Sequence, residues 1–124
     1  MKIEVSNGEI ADKLTILEIK LQKIKDEQKL SILRKEYELL VEIVGAIISR
    51  NHPFYLELLN INKQLWDIED HIRELERKKD FGDEFIEVAR SVYFTNDKRS
   101  EVKRKINDLT NSSLTEEKSY ESYS

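Results

Sequence analysis

The sequence predicts an all-α fold: an antiparallel bundle of three long helices, followed by one or two shorter C-terminal helices and a polar tail. Three observations predict it. Apolar residues recur at steps of three and four along most of the chain. Only three glycines and one proline interrupt it. No run alternates long enough for a strand, Ile3 and Val5 being too short a pair to pair with anything.

The first helix is expected from Asn7. Ser6 stands as its cap, Glu9 lies where a capping box needs it, and Val5 with Ile10 is spaced for a hydrophobic staple. Ile10, Leu14, Leu17, Leu21 and Ile24 then form one stripe that must meet a partner helix. Gln28 and Ser31 fall where that register needs apolar residues, so a turn is expected over 26–29. The second stripe, Leu30, Leu33, Tyr37, Leu40, Val44 and Ile47, runs through Gly45 and stops at Ser49. Pro53 ends this segment and opens the next.

From Pro53 to Lys79 the third stripe runs Leu58, Ile61, Leu65, Ile68, Ile72 and Leu75. At 1.5 Å per residue this helix is about 40 Å long and is predicted to be the longest element. Asp80 to Asp83 reads as a break. A fourth helix over 83–94 uses Phe85, Val88, Ala89 and Val92, and Thr95, Asn96 and Asp97 offer caps for a shorter fifth helix carrying Val102, Ile106 and Leu109. The last fifteen residues hold a single aliphatic side chain, Leu114, and are rich in Ser and Glu. They read as a tail or a docking strap. The expected organisation is one helical domain over 1–109 and a polar tail over 110–124, with helix crossing angles of about 20°.

Composition narrows function. A length of 124 residues fits one domain. With 21 basic against 25 acidic residues, the net charge of -4 argues against general nucleic-acid binding through phosphate neutralisation. No window approaches the roughly 20 apolar residues of a spanning helix, and the N-terminus lacks a signal-peptide pattern, so no membrane insertion and a cytoplasmic location are expected. The absence of cysteine excludes disulfides, thiolate metal sites and a cysteine nucleophile. His52 and His71 have no ligand partner at suitable spacing.

No phosphate loop, GxSxG elbow or His-Glu zinc motif is present, so any catalysis rests on carboxylates. Glu9 and Asp12 share a face of the first helix, and Glu69 and Asp70 lie on the third. Four such groups meeting between helices would suit Mg2+, which prefers hard oxygen ligands. Helical nucleotide pyrophosphohydrolases work this way, but with a denser acidic pattern than Glu36, Glu38 and Glu42 supply here on the second helix. Capping explains Glu9, and an i to i+4 pair with Arg73 explains Glu69. No cofactor is therefore expected, with Mg2+ the one candidate. Trp66, Glu69, Asp70, Arg73 and Arg77 form either a binding ledge or a widened core edge with surface ion pairs. Across 89–99, Arg90, Lys98 and Arg99 stand near amides that would hold a phosphate, whereas Asp97 would repel one and capping alone explains 95–97. Near-heptad stripes also leave self-association open, as a homo-oligomer or on a protein partner.

The segments 4–21, 65–73, 85–93, 95–97 and 117–120 together resemble an uncharacterised family of small bacterial and phage proteins, over nearly the whole chain. The carrying patterns are ExSxGExxDKxTIxxIK, LWxIEDxIR, ARSVYxTND and EKSY. Such a family implies no particular activity, though its members sometimes accompany glycosyltransferase or surface-polysaccharide genes. The resemblance does imply a polar signature: Glu9, Asp12, Lys13, Trp66, Glu69, Asp70, Arg73, Arg90, Ser91, Tyr93, Asn96, Asp97, Lys118 and Tyr120 occupy motif positions. It also implies that the tail folds back on the helices. With Arg99 added and Ser91 left out, these residues form a hypothetical ligand-binding seam between the first, third and fourth helices. The expectation is a helical binding or assembly module without demonstrable catalysis, enzyme character being left undecided. The alternative is a Mg-dependent or phosphate-recognising site for a nucleotide or sugar phosphate. There Glu9, Asp12, Glu69 and Asp70 would hold the metal, and Arg73, Arg90 and Arg99 the phosphates.

Overall fold

Residues 2–112 are described by the computed structural model, and they form four helices with no strand among them. These are α1 (Asn7–Lys23), α2 (Glu27–Gly45), α3 (Pro53–Arg77) and α4 (Asp83–Leu109).

Local chemistry sets most of the ends. At α1 the Ser6 hydroxyl accepts from the Glu9 amide at 3.1 Å, but Glu9 does not close the capping box, because its carboxylate is turned to Lys103. At α2 the Asp26 carboxylate accepts from the amides of Gln28 and Lys29 at 2.9 and 3.4 Å. The helix therefore starts at Glu27, inside the expected turn, and it ends at Gly45 rather than running on to Ile47. At α3 Pro53 holds the first position and His52 Nδ1 accepts from the Phe54 amide at 3.0 Å. Its other end is a left-handed cap: Lys79 takes a φ of 57°, so that the Asp80 amide donates back to the Leu75 carbonyl at 2.9 Å. Asn111, at φ 53°, closes α4 in the same way, with the Ser112 amide on the Asn107 carbonyl at 2.9 Å.

Two expectations are corrected. The fourth and fifth helices are one, and at 27 residues α4 is longer than the 25-residue α3. The reason lies in its inward row, Val88, Val92, Thr95, Arg99, Val102 and Ile106, which keeps the helical steps of four and three through the supposed break. Burial of Thr95 within the helix outweighs the capping preference of Thr-Asn-Asp.

The second correction concerns packing. α1 and α2 form one antiparallel hairpin, with Lys13 and Glu36 level at 3.0 Å. α3 and α4 form another, with Glu57 beside Lys105 and His71 beside Glu84. The hairpins are not laid side by side. α1 begins against Asn107 and Lys103 of α4, passes Arg99 and Asn62 at Asp12, and reaches Tyr55 of α3 at Glu18. Because residues 55 and 107 lie at the same end of the second hairpin, α1 crosses that hairpin instead of running along it. Among the described residues α1 is the helix whose backbone approaches all three others, while α2 approaches α1.

The core sits at this crossing, where Ala11 and Leu14 meet Val44 and Ile48, Tyr55, Leu58, Ile61 and Leu65, and Val102 and Ile106. Beyond Leu65 the α3–α4 hairpin continues as a two-helix arm, with Leu75 buried and Phe81, Ile86 and Tyr93 exposed. Among the described residues no helix is long and apolar enough to cross a membrane.

Candidate functional site

Where α1 crosses α4, the stripe expected from sequence has a second, polar face beside it. Gly8, Asp12 and Thr15 recur at steps of four and three and are all buried. Gly8 permits the approach: an added Cβ would collide with the backbone carbonyl oxygen of Lys103. The Gly8 amide, one of those a helix start leaves without an intrahelical partner, donates to Asn107 Oδ1 at 2.6 Å. Alongside it, the Asn7 amide donates to Ser112 Oγ at 3.0 Å and Asn7 Nδ2 to Thr110 Oγ1 at 2.9 Å. The end of α4 thus caps the start of α1.

One turn further in, Lys103 Nζ donates to Glu9 Oε2 at 2.6 Å, with the lysine side chain almost fully covered. Asp12 lies deepest, at 1% exposure. Arg99 grips it with both faces of the fork, Nε on Oδ1 at 2.8 Å and a terminal nitrogen on Oδ2, while Asn62 Nδ2 adds a third donor to Oδ1 at 2.9 Å. Asn62 also donates to Thr15 Oγ1 at 2.7 Å, and that hydroxyl donates to the Asp12 carbonyl at 2.6 Å. Among the described residues no buried side-chain nitrogen or oxygen lacks a hydrogen-bond partner. A buried carboxylate is tolerated when a bidentate guanidinium and further donors replace its water, which is what Asp12 has.

Of the residues singled out from sequence, Glu9, Asp12 and Arg99 meet in this seam. The rest stand elsewhere. Lys13 points to Glu36 on α2, and Trp66 is half-buried on the arm. Glu69 and Asp70 are exposed on α3 and both pair with Arg73, at 3.7 and 3.4 Å. The four carboxylates weighed as Mg2+ ligands are therefore split between different cations, and no group of three or more His, Asp or Glu able to hold a metal occurs among the described residues. Arg90 and Ser91 line a shallow groove on α4 with Ile86 and Phe94, and Tyr93 is exposed nearby. Asn96 and Asp97 are half-buried within α4. Lys118 and Tyr120 lie outside the described residues, as does the tail beyond Ser112.

Sequence reasoning missed Gly8, Thr15, Asn62, Lys103 and Asn107. A signal was available: Arg99, Lys103 and Asn107 recur every four residues along α4, opposite the small and polar row of α1. It also missed a smaller cluster at the other end of α1. Tyr55 Oη donates to Glu18 Oε1 at 2.9 Å, and Arg50 reaches both Glu18 at 3.4 Å and the Tyr37 hydroxyl at 2.6 Å. Burial and the neighbouring Glu18 push the Tyr55 phenol far above its ordinary value.

The family of unknown function DUF6165 matches residues 1–123. The chain belongs to DUF6165. No curated protein and no solved structure matches it. Membership in DUF6165 supplies no activity, so the function has to be argued from the geometry.

Proposed function

We propose that this DUF6165 chain is a helical binding or assembly module, in which the Asp12 seam is a clasp that fixes α1 across α4 and binding occurs on an outer helix face. The observation that carries this reading is the outer row of α2. Ile32, Leu39 and Ile43 are exposed at 68%, 69% and 47%, although the opposite face of the same helix already meets α1 through Leu30 and Val44. Large apolar side chains aligned on one face of a secured helix mark a contact surface more often than isolated ones do. The seam supports the same division of labour, since the Asp12 carboxylate is saturated by Arg99 and Asn62 and Glu9 is held by Lys103.

The competing site for a nucleotide or sugar phosphate is tested by titrating the protein with Mg2+ and a panel of such compounds, reading the indole fluorescence of Trp66. The expected result is no saturable change. A saturable change abolished by Asp70→Ala, in a chain that still melts cooperatively, would overturn the binding-module reading in favour of a small-molecule site.

A further inference from the structure

We propose that α2 pairs antiparallel with α2 of a second copy of this chain, an inference that rests on the binding-module reading and names the partner. The row Ile32, Glu36, Leu39 and Ile43 advances by four, three and four residues, the spacing of a coiled-coil seam. Its one polar member has its charge directed elsewhere, because the Glu36 carboxylate takes Lys13 of α1 at 3.0 Å. No proline or glycine occurs between Glu27 and Val44, so the helix is uninterrupted beneath this row, which spans about three turns.

Charge selects the occupant. After Glu27, which pairs with Arg34 at 3.7 Å, the first half of α2 is basic, with Lys29, Arg34 and Lys35, and the second half is acidic, with Glu36, Glu38 and Glu42. A parallel copy would lay basic on basic. An antiparallel copy lays basic on acidic, and about a twofold axis between residues 37 and 38 it sets Ile32 opposite Ile43 and Leu39 opposite the stem of Glu36. In that register Lys35 flanks the seam beside Glu42 of the other copy, twice by symmetry. Both side chains are exposed and neither is in an ion pair among the described residues. A helix whose own two halves are complementary is suited to itself.

Sedimentation equilibrium over a wide concentration range tests this. The chain is expected to dimerise, and Leu39→Glu to abolish the dimer while leaving the helical melt of dilute protein intact, because that side chain is outside the core. Lys35→Glu alone is expected to weaken dimerisation about tenfold, and Lys35→Glu with Glu42→Lys to restore most of it. Orientation is read by thiol cross-linking, which is clean because the chain has no cysteine. Ile32→Cys mixed with Ile43→Cys is expected to give a disulfide dimer, and Ile32→Cys alone none. A monomer at every concentration, a dimer indifferent to Leu39→Glu, or cross-linking of Ile32→Cys alone would each overturn the antiparallel pair. None of these involves the Trp66 response on which the broader reading fails.

Discussion

α1 and α2 are adjacent helices of 17 and 19 residues, yet one is enclosed and the other is a cover. In α1 seven residues are buried, among them Gly8, Asp12 and Thr15; in α2 only Leu30 and Val44 are. The difference follows from neighbours. α1 is met by three helices, so its flank off the apolar stripe is also dry, and polar residues there are held only because α3 and α4 supply Asn62, Arg99, Lys103 and Asn107. α2 is met on one side, so its polar residues face water and its surplus apolar residues face water too. Enclosure makes polar groups specific, and exposure makes apolar groups available.

If enclosure is what distinguishes α1, the largest losses belong to its polar face. Asp12→Ala removes the buried acceptor that Arg99 and Asn62 share, and a cost of about 3 kcal/mol is expected in chemical denaturation. Asp12→Asn, which keeps an acceptor for Asn62, should cost less. Gly8→Ala comes next, at about 1–3 kcal/mol, because the new methyl has to displace the α4 backbone at Lys103 and not a movable side-chain tip. A Gly8→Ala protein as stable as the original would mean that the crossing of α1 over α4 is looser than described.

The Tyr55 cluster gives a smaller, pH-dependent effect. Its phenol is raised in the folded chain by burial and by Glu18, so its contribution is fully present below the ordinary tyrosine value of about 10 and is lost as pH rises above it. In that range the unfolded chain ionises and the folded one resists. Tyr55→Phe should cost about 1 kcal/mol near neutral pH, through the lost hydrogen bond to Glu18. The same substitution should flatten the fall in stability above pH 10, measured by urea titrations at several pH values.

The helices were legible in the sequence because apolar spacing is a local property. The stripes on 10–24 and 58–75 are buried or half-buried as their period requires. The split of α4 at Thr95 was a misreading of the same property: three capping residues in a row outweighed, on local chemistry, an inward row in which Thr95 and Arg99 replace apolar residues. The antiparallel bundle was less legible, since short connections fix each hairpin but say nothing of how two hairpins cross. The close approach at that crossing needs Gly8 against the backbone of Lys103, a contact between residues far apart in the chain. The candidate site shows the same division. Glu9, Asp12 and Arg99 were found as residues, but their pairing with one another, and with Lys103 and Asn62, depends on the crossing.

The comparison is sharpest where the same substitution is made in both helices. Leu17 of α1 is 3% exposed and Leu39 of α2 is 69% exposed. Leu17→Ala opens a cavity between packed helices and is expected to cost about 2–5 kcal/mol. Leu39→Ala removes a side chain that already touches water, so in dilute, monomeric protein its effect on the urea midpoint should stay within about 0.5 kcal/mol. At higher concentration the two variants should diverge further. Self-association, being carried by the outer row, should fall with Leu39→Ala and persist in whatever fraction of Leu17→Ala remains folded. A Leu39→Ala loss as large as that of Leu17→Ala in dilute protein would mean that α2 is covered on both sides within one chain, and the distinction between the two helices would collapse.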